Sequence, residues 1–133
     1  MAGKLTTHVL DTAQGCPAAH LAIELWLIHS LPQSATLPDK TPDKTPDKTL
    51  IKTIQTNEDG RTDQPVLSSH EIKAGTFELV FIVGDYFAQQ SVKITNPPFL
   101  DRIPIQFTIV DVNAHYHVPL LVSPWSYSTY RGS

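Results

Sequence analysis

One cysteine, Cys16, is the chain's whole stock of thiol, so no intramolecular disulfide can form. That scarcity fits a reducing compartment. No apolar run reaches the length needed to cross a bilayer, so no membrane partner is expected. No basic block exists either: 10 Lys+Arg stand against 13 Asp+Glu, for a formal net charge of −3. A nucleic-acid partner would call for a basic face, and none is expected here. The opening residues MAGKLTTHVLDT lack the apolar stretch of a secretory signal, and the ending Arg-Gly-Ser is not the Ser-Lys-Leu peroxisomal address. The expected location is cytoplasmic; a peroxisomal one in a eukaryote would have no C-terminal signal behind it.

What the chain does have is β pattern. It is 133 residues long, 41% hydrophobic and 17% charged, which fits one globular domain over 1–133. Eleven prolines and many β-branched residues disfavour a helical bundle. Apolar residues recur with period two in Leu21, Ile23, Leu25 and Leu27, in Phe77, Leu79, Phe81 and Val83, and in Ile103, Ile105, Phe107 and Ile109. Each set gives a strand one apolar face and leaves the other for a partner, a ligand or water. The spacing predicts strands near 4–11, 20–29, 50–56, 64–67, 75–83, 102–112, 115–123 and 125–131, which together read as a β-sandwich. A short helix near 85–90, capped by Gly84-Asp85, is the one expected exception. Residues 38–49 repeat PDKT three times. Proline every fourth position blocks a regular ladder, and nothing in the repeat can be buried, so a mobile surface loop is expected there.

Six histidines could carry chemistry. On a strand, residues two apart share a face, so His115 and His117 of His-Tyr-His can point the same way. That pair is also half of a metal site, with His8 as a candidate third ligand, but no zinc-finger spacing supports one. His8 shares a strand face with Thr6 and Leu10, opposite Leu5, Thr7 and Val9. His20, His29 and His70 have no polar company in the sequence. Arg61 follows the turn Asn57-Glu58-Asp59-Gly60 and could hold an oxygen-rich anion with its planar fork. The C-terminal stretch is unusual. Tails fray and are polar, yet Pro124 to Tyr130 is aromatic and strand-forming, which predicts a packed strand with one face on the core and the other presenting hydroxyls to a groove or to another subunit.

At this point the motifs resemble a known family. Thr7-His8-Val9-Leu10-Asp11-Thr12 with Gly15-Cys16-Pro17-Ala18, the turn Thr56-Asn57-Glu58-Asp59-Gly60-Arg61-Thr62, and the ending Tyr130-Arg131-Gly132-Ser133 are similar to those of the transthyretin-like 5-hydroxyisourate hydrolases. Gly75-Thr76-Phe77-Glu78-Leu79 and Gly84-Asp85-Tyr86-Phe87 look like that family's next strand and short helix. The resemblance covers nearly the whole chain; the PDKT repeat departs from it.

It implies an all-β fold: an eight-stranded sandwich of two antiparallel four-stranded sheets with one short helix. It also implies a homotetramer, a dimer of dimers around a central channel, and no metal or organic cofactor. The implied activity is hydrolysis of 5-hydroxyisourate in urate catabolism. Residue by residue, it assigns catalytic roles to His8, Arg61, His117 and Ser133. It makes His8, Arg61, Tyr130 and Ser133 contacts for substrate, with Tyr130 as a wall of the pocket and Arg131 supporting it. In that reading a histidine near neutral pKa activates water and Arg61 stabilises developing negative charge. Which histidine is the base stays open. The rival reading is a small-molecule carrier, since transthyretin shares the architecture and uses the equivalent channel.

Overall fold

The computed structural model describes residues 3–30 and 48–132. Ser133 and residues 38–47 of the PDKT stretch, for which sequence expectations were stated, lie outside the described residues.

Alternating small, β-branched and aliphatic residues produce strands β1 (Lys4–Asp11), β2 (Cys16–Pro17), β3 (Ala22–Ser30), β4 (Thr49–Gln55), β5 (Gly75–Ile82), β6 (Arg102–Ile109), β7 (His115–Val122) and β8 (Tyr127–Thr129). They form two four-stranded sheets, ordered β2-β1-β7-β8 and β4-β3-β5-β6. The two-sheet sandwich matches expectation, with one difference in detail. β1 and β7 run parallel, in register from Lys4↔His115 to Asp11↔Val122, while every other pairing is antiparallel. Strands so far apart in sequence need no hairpin, so their relative direction is left to packing.

Two further expectations shift. The segment 64–67 makes no strand, only an isolated bridge between Leu67 and Leu5; Pro65 has no N–H to offer a ladder. Its place in the count is taken by the two-residue β2, too short to show any period. The helix α1 spans Val83–Ala88, two residues earlier than the sequence suggested, and no side chain caps it. It begins early because it runs straight out of β5, burying Val83, Tyr86 and Phe87.

The core lies between the sheets. Leu5, Val9, Leu120 and Val122 come from one sheet; Ile23, Leu25, Phe77, Leu79, Phe81 and Ile103 come from the other. In the second sheet Ile23, Phe81 and Ile103 pair across three strands, as do Leu25, Leu79 and Ile105. β6 is an edge strand, which is why Pro104 is tolerated inside it. At the far end of β1 the carboxylate of buried Asp11 accepts from Ala13 N, Gln14 N, Gln14 Nε2 and the Tyr86 hydroxyl, tying α1 to the first sheet. Burial, then the bond to Asp11, push the Tyr86 phenol above its usual range.

The C-terminal strand departs from its expectation. β8 is three residues long, and Tyr127, Ser128 and Thr129 are all exposed in the single chain. Trp125, Tyr127 and Tyr130 are 59%, 45% and 61% exposed. No face of β8 joins the core of its own chain. As the last strand of its sheet, it has a neighbour on one side only.

Candidate active site

β1 buries Leu5, Thr7, Val9 and Asp11 and turns Thr6, His8 and Leu10 outward, as strand alternation requires. β7 does the same, burying Tyr116, Val118 and Leu120 and leaving His117 half-buried and His115 exposed. The parallel register sets Thr6 opposite His117 and His8 opposite Pro119. The outer face of this sheet therefore gathers Lys4, Thr6, His8, His115 and His117.

Arg61 reaches the same place through a tight turn. The Asn57 side-chain oxygen accepts from Asp59 N and Arg61 N, and Gly60 N donates to Asn57 O. Gly60 has φ +74°, and a Cβ there would lie 2.4 Å from Val9 O, so no other residue fits both the dihedral and the space. Val9 N donates to Gly60 O, and the chain then pairs as an isolated antiparallel bridge between His8 and Arg61. The turn is thus welded to β1 at the residue that carries the imidazole.

Between these elements lies an open hollow of about 440 Å³ lined by Lys4, Thr6, Arg61, Asp63, His115 and His117, among others. His8 flanks it through its bridge to Arg61. The structure therefore brings together His8, Arg61 and His117, three residues far apart in sequence. Tyr130 sits elsewhere: it lines a second, more apolar groove of about 250 Å³ with Ile105, Phe107 and Thr129, and only His117 borders both. Arg131 lies with its guanidinium 4.4 Å from the centre of the Tyr116 ring, a cation–π contact that holds the tail down. Gly132 N donates to His117 O, and a Cβ at Gly132 would lie 2.5 Å from His117 Cδ2. Only glycine lets the tail pass this close to the imidazole, which gives the Arg-Gly-Ser ending a physical reason.

The imidazoles have distinct environments. His8 Nε2 lies 3.0 Å from Asp59 O. A carbonyl only accepts, so Nε2 carries the proton and Nδ1 is bare when His8 is neutral. His117 Nδ1 lies 2.8 Å from Thr6 Oγ1, and that same hydroxyl lies 2.8 Å from His115 Nε2. Partial burial, then the Arg61 cation, then His115 and His8, hold the His117 pKa below its ordinary 6.5. At neutral pH this ring is an uncharged base. Thr6, Lys4 and Asp63 were not singled out from the sequence as site residues. For Thr6 the signal was there, since it precedes His8 by two and shares its face. Among the described residues, no group of three His, Cys, Asp or Glu side chains could hold a metal ion.

An outer sheet face that presents three imidazoles, with a guanidinium bridged to it, beside a closed hydrophobic core, defines a β-sandwich equipped for small-molecule chemistry on its surface. Residues 5–132 match the model of the HIUase/Transthyretin family, and the chain belongs to that family. It is 48% identical over 132 residues to a 5-hydroxyisourate hydrolase of Ralstonia nicotianae, covering 98% of this chain and 99% of that one. Among solved structures, it superposes on the 5-hydroxyisourate hydrolase of Klebsiella pneumoniae with a TM-score of 0.69 at 27% identity, covering 98% of this chain and 99% of that one. It also matches an (S)-allantoin synthase with a TM-score of 0.79 at 42% identity, covering 99% of this chain but only 44% of that longer one.

Proposed function

We propose that this chain hydrolyses 5-hydroxyisourate to 2-oxo-4-hydroxy-4-carboxy-5-ureidoimidazoline, with His117 as the general base. The observation that carries this reading is that Arg61 and His117 line one hollow, with His8 bridged to Arg61 at its edge and His117 held uncharged. The names of the full-length relatives supply the substrate.

The substrate is a planar, oxygen-rich ring with a cyclic amide. Water adds to the amide carbonyl carbon as His117 Nε2 takes its proton. The carbonyl oxygen becomes an oxyanion, and the Arg61 guanidinium supplies charge and paired N–H donors to it. The intermediate collapses, the C–N bond breaks, and the imidazolium returns its proton to the departing nitrogen. The acid so formed ionises to a carboxylate, which stays near the cations Arg61 and Lys4 until release. His8 presents Nδ1 as an acceptor for water or for a substrate N–H. Ser133, the residue after Gly132, is assigned by the family resemblance to bind substrate polar atoms.

Function as a homotetramer, a dimer of dimers, belongs to the same proposal. Its support is the exposed rings of Trp125, Tyr127 and Tyr130 on an edge strand and its connections, since contiguous exposed apolar surface is characteristic of an interface. Light scattering on the purified protein gives the mass directly.

The decisive assay follows absorbance of freshly generated 5-hydroxyisourate with and without the protein. Acceleration is expected, and His117→Asn should lose roughly 10²–10⁴-fold of it, the usual worth of a positioned base. No acceleration over spontaneous decay would leave the carrier reading standing.

A further inference from the structure

One hydroxyl between two imidazoles is an uncommon arrangement, and it constrains where protons sit. Thr6 Oγ1 carries a single proton but touches both His115 Nε2 and His117 Nδ1, each at 2.8 Å. It can donate to one ring and must accept from the other. The chain of bonds therefore runs in one of two directions. Either His117 Nδ1–H donates to Thr6 and Thr6 donates to His115 Nε2, or the whole order reverses. The first leaves His117 Nε2 bare; the second leaves it protonated and useless as a base.

The surroundings favour the first. His117 borders a hollow that also contains Lys4 and Arg61. A bare nitrogen turns the negative end of its dipole toward those cations; an N–H turns the positive end. The one carboxylate lining the hollow, Asp63, is engaged by the Asn57 side-chain amide at 3.0 Å. Arg131, which shares the second groove with His117, is stacked on Tyr116. His115 is exposed, so solvent satisfies its remaining nitrogen whichever way the chain runs, as a donor in the first order and an acceptor in the second.

We propose that Thr6 is a positioning residue whose hydroxyl, relayed to His115, fixes His117 in the Nδ1–H tautomer and so keeps Nε2 free to act as a base. Its catalytic consequence rests on the hydrolytic function proposed above; the tautomer itself does not. His115 is the end of the relay and touches no reacting atom. The arrangement follows from the parallel register, which places Thr6 directly opposite His117 and Lys4 opposite His115, so that Thr6 lies within reach of both rings on one face. The role of the Asp59 carbonyl toward His8 is analogous, but it fixes the opposite tautomer.

The test is nitrogen-15 NMR of the histidine rings in the intact assembled protein, in mildly alkaline buffer, with His117 assigned through His117→Asn. The expected result is a protonated Nδ1 and a bare Nε2. Thr6→Val keeps the β-branched shape and removes the hydroxyl. It should let the proton redistribute to Nε2 and lower kcat roughly 10-fold or more, with KM held within about 3-fold, because a misplaced proton removes base function without removing ground-state contacts. Thr6→Ser should restore both the tautomer and kcat. A wild-type His117 protonated on Nε2 would overturn the proposal, as would Thr6→Val leaving tautomer or kcat unchanged while the protein stays assembled. A protein with the expected tautomer but no hydrolysis of 5-hydroxyisourate would support the relay and count against the function instead.

Discussion

The two faces of the sheet β2-β1-β7-β8 are built from alternate residues of the same strands, yet they do different work. On the inner face Leu5, Val9, Leu120 and Val122 are fully buried and hold the sandwich together. On the outer face Thr6, His8, His115 and His117 stay partly or fully exposed and assemble proton-handling groups instead. A side chain's neighbour in the chain belongs to the opposite function, and a slip of one residue in register would exchange them. The lesson is that stability and chemistry are separable here by parity rather than by region.

Paired substitutions along β7 would break that separation most directly. His117→Asn should abolish nearly all hydrolysis while the melting temperature barely moves. Leu120→Ala, three residues on and pointing inward, should cost about 2–5 kcal/mol of stability through lost burial and the cavity left behind. Its activity per folded molecule should stay near normal. Chemical denaturation together with the absorbance assay measures both quantities. A Leu120→Ala protein that folds well but fails to turn over would show the faces to be coupled.

A smaller effect comes from pH. The His117 pKa lies below 6.5, so the acid limb of kcat/KM should have its midpoint below 6.5. Arg61→Gln removes one of the two leading causes of that depression and should move the limb upward, toward the ordinary value. The stability sign follows from the same shift. Above 6.5 the ring is neutral in both folded and unfolded chains. As pH falls from 6.5 through the lower folded value, the unfolded chain binds the proton first and stability is lost. A limb at or above 6.5 would remove the claim that His117 rests uncharged.

The smallest effect belongs to the other sheet's surface. Glu71 pairs with Lys52 at 2.8 Å, and that bond with the Ser68 N–H holds its carboxyl near about 2. The pair is well exposed, so solvent screening leaves it worth only about 0.2–1 kcal/mol. Glu71→Gln should change the unfolding midpoint slightly above pH 4.5, and the difference should vanish as pH falls toward 2. Any change in turnover would contradict the idea that chemistry is confined to the first sheet's outer face.

Much of this was legible from residue order, and the failures have identifiable causes. Sequence pattern located seven of the eight strands to within three residues of their ends, because a half-buried strand must alternate. β2 escaped since two residues carry no period, and 64–67 was over-read because a Pro-Val-Leu run resembles a strand even when it forms one bridge. β8 was expected to bury a face, but its aromatics stay exposed in the single chain: composition tells that rings need cover, not which chain supplies it. His20 seemed to lack polar company, yet its Nε2 lies 2.7 Å from Glu58, a contact made across 38 positions of sequence.

The sequence by itself determined the β class, the strand faces of His8, His115 and His117, and the Asn57–Arg61 turn, because these follow from local sterics and alternation. Only the tertiary structure decided that β1 and β7 run parallel in the register Thr6↔His117. That register joins the His8 face to the His117 face, brings Arg61 beside them through Gly60, and places one hydroxyl between two rings. Strand pairing between distant segments is fixed by which apolar faces bury each other, a property of the whole core that no local stretch contains.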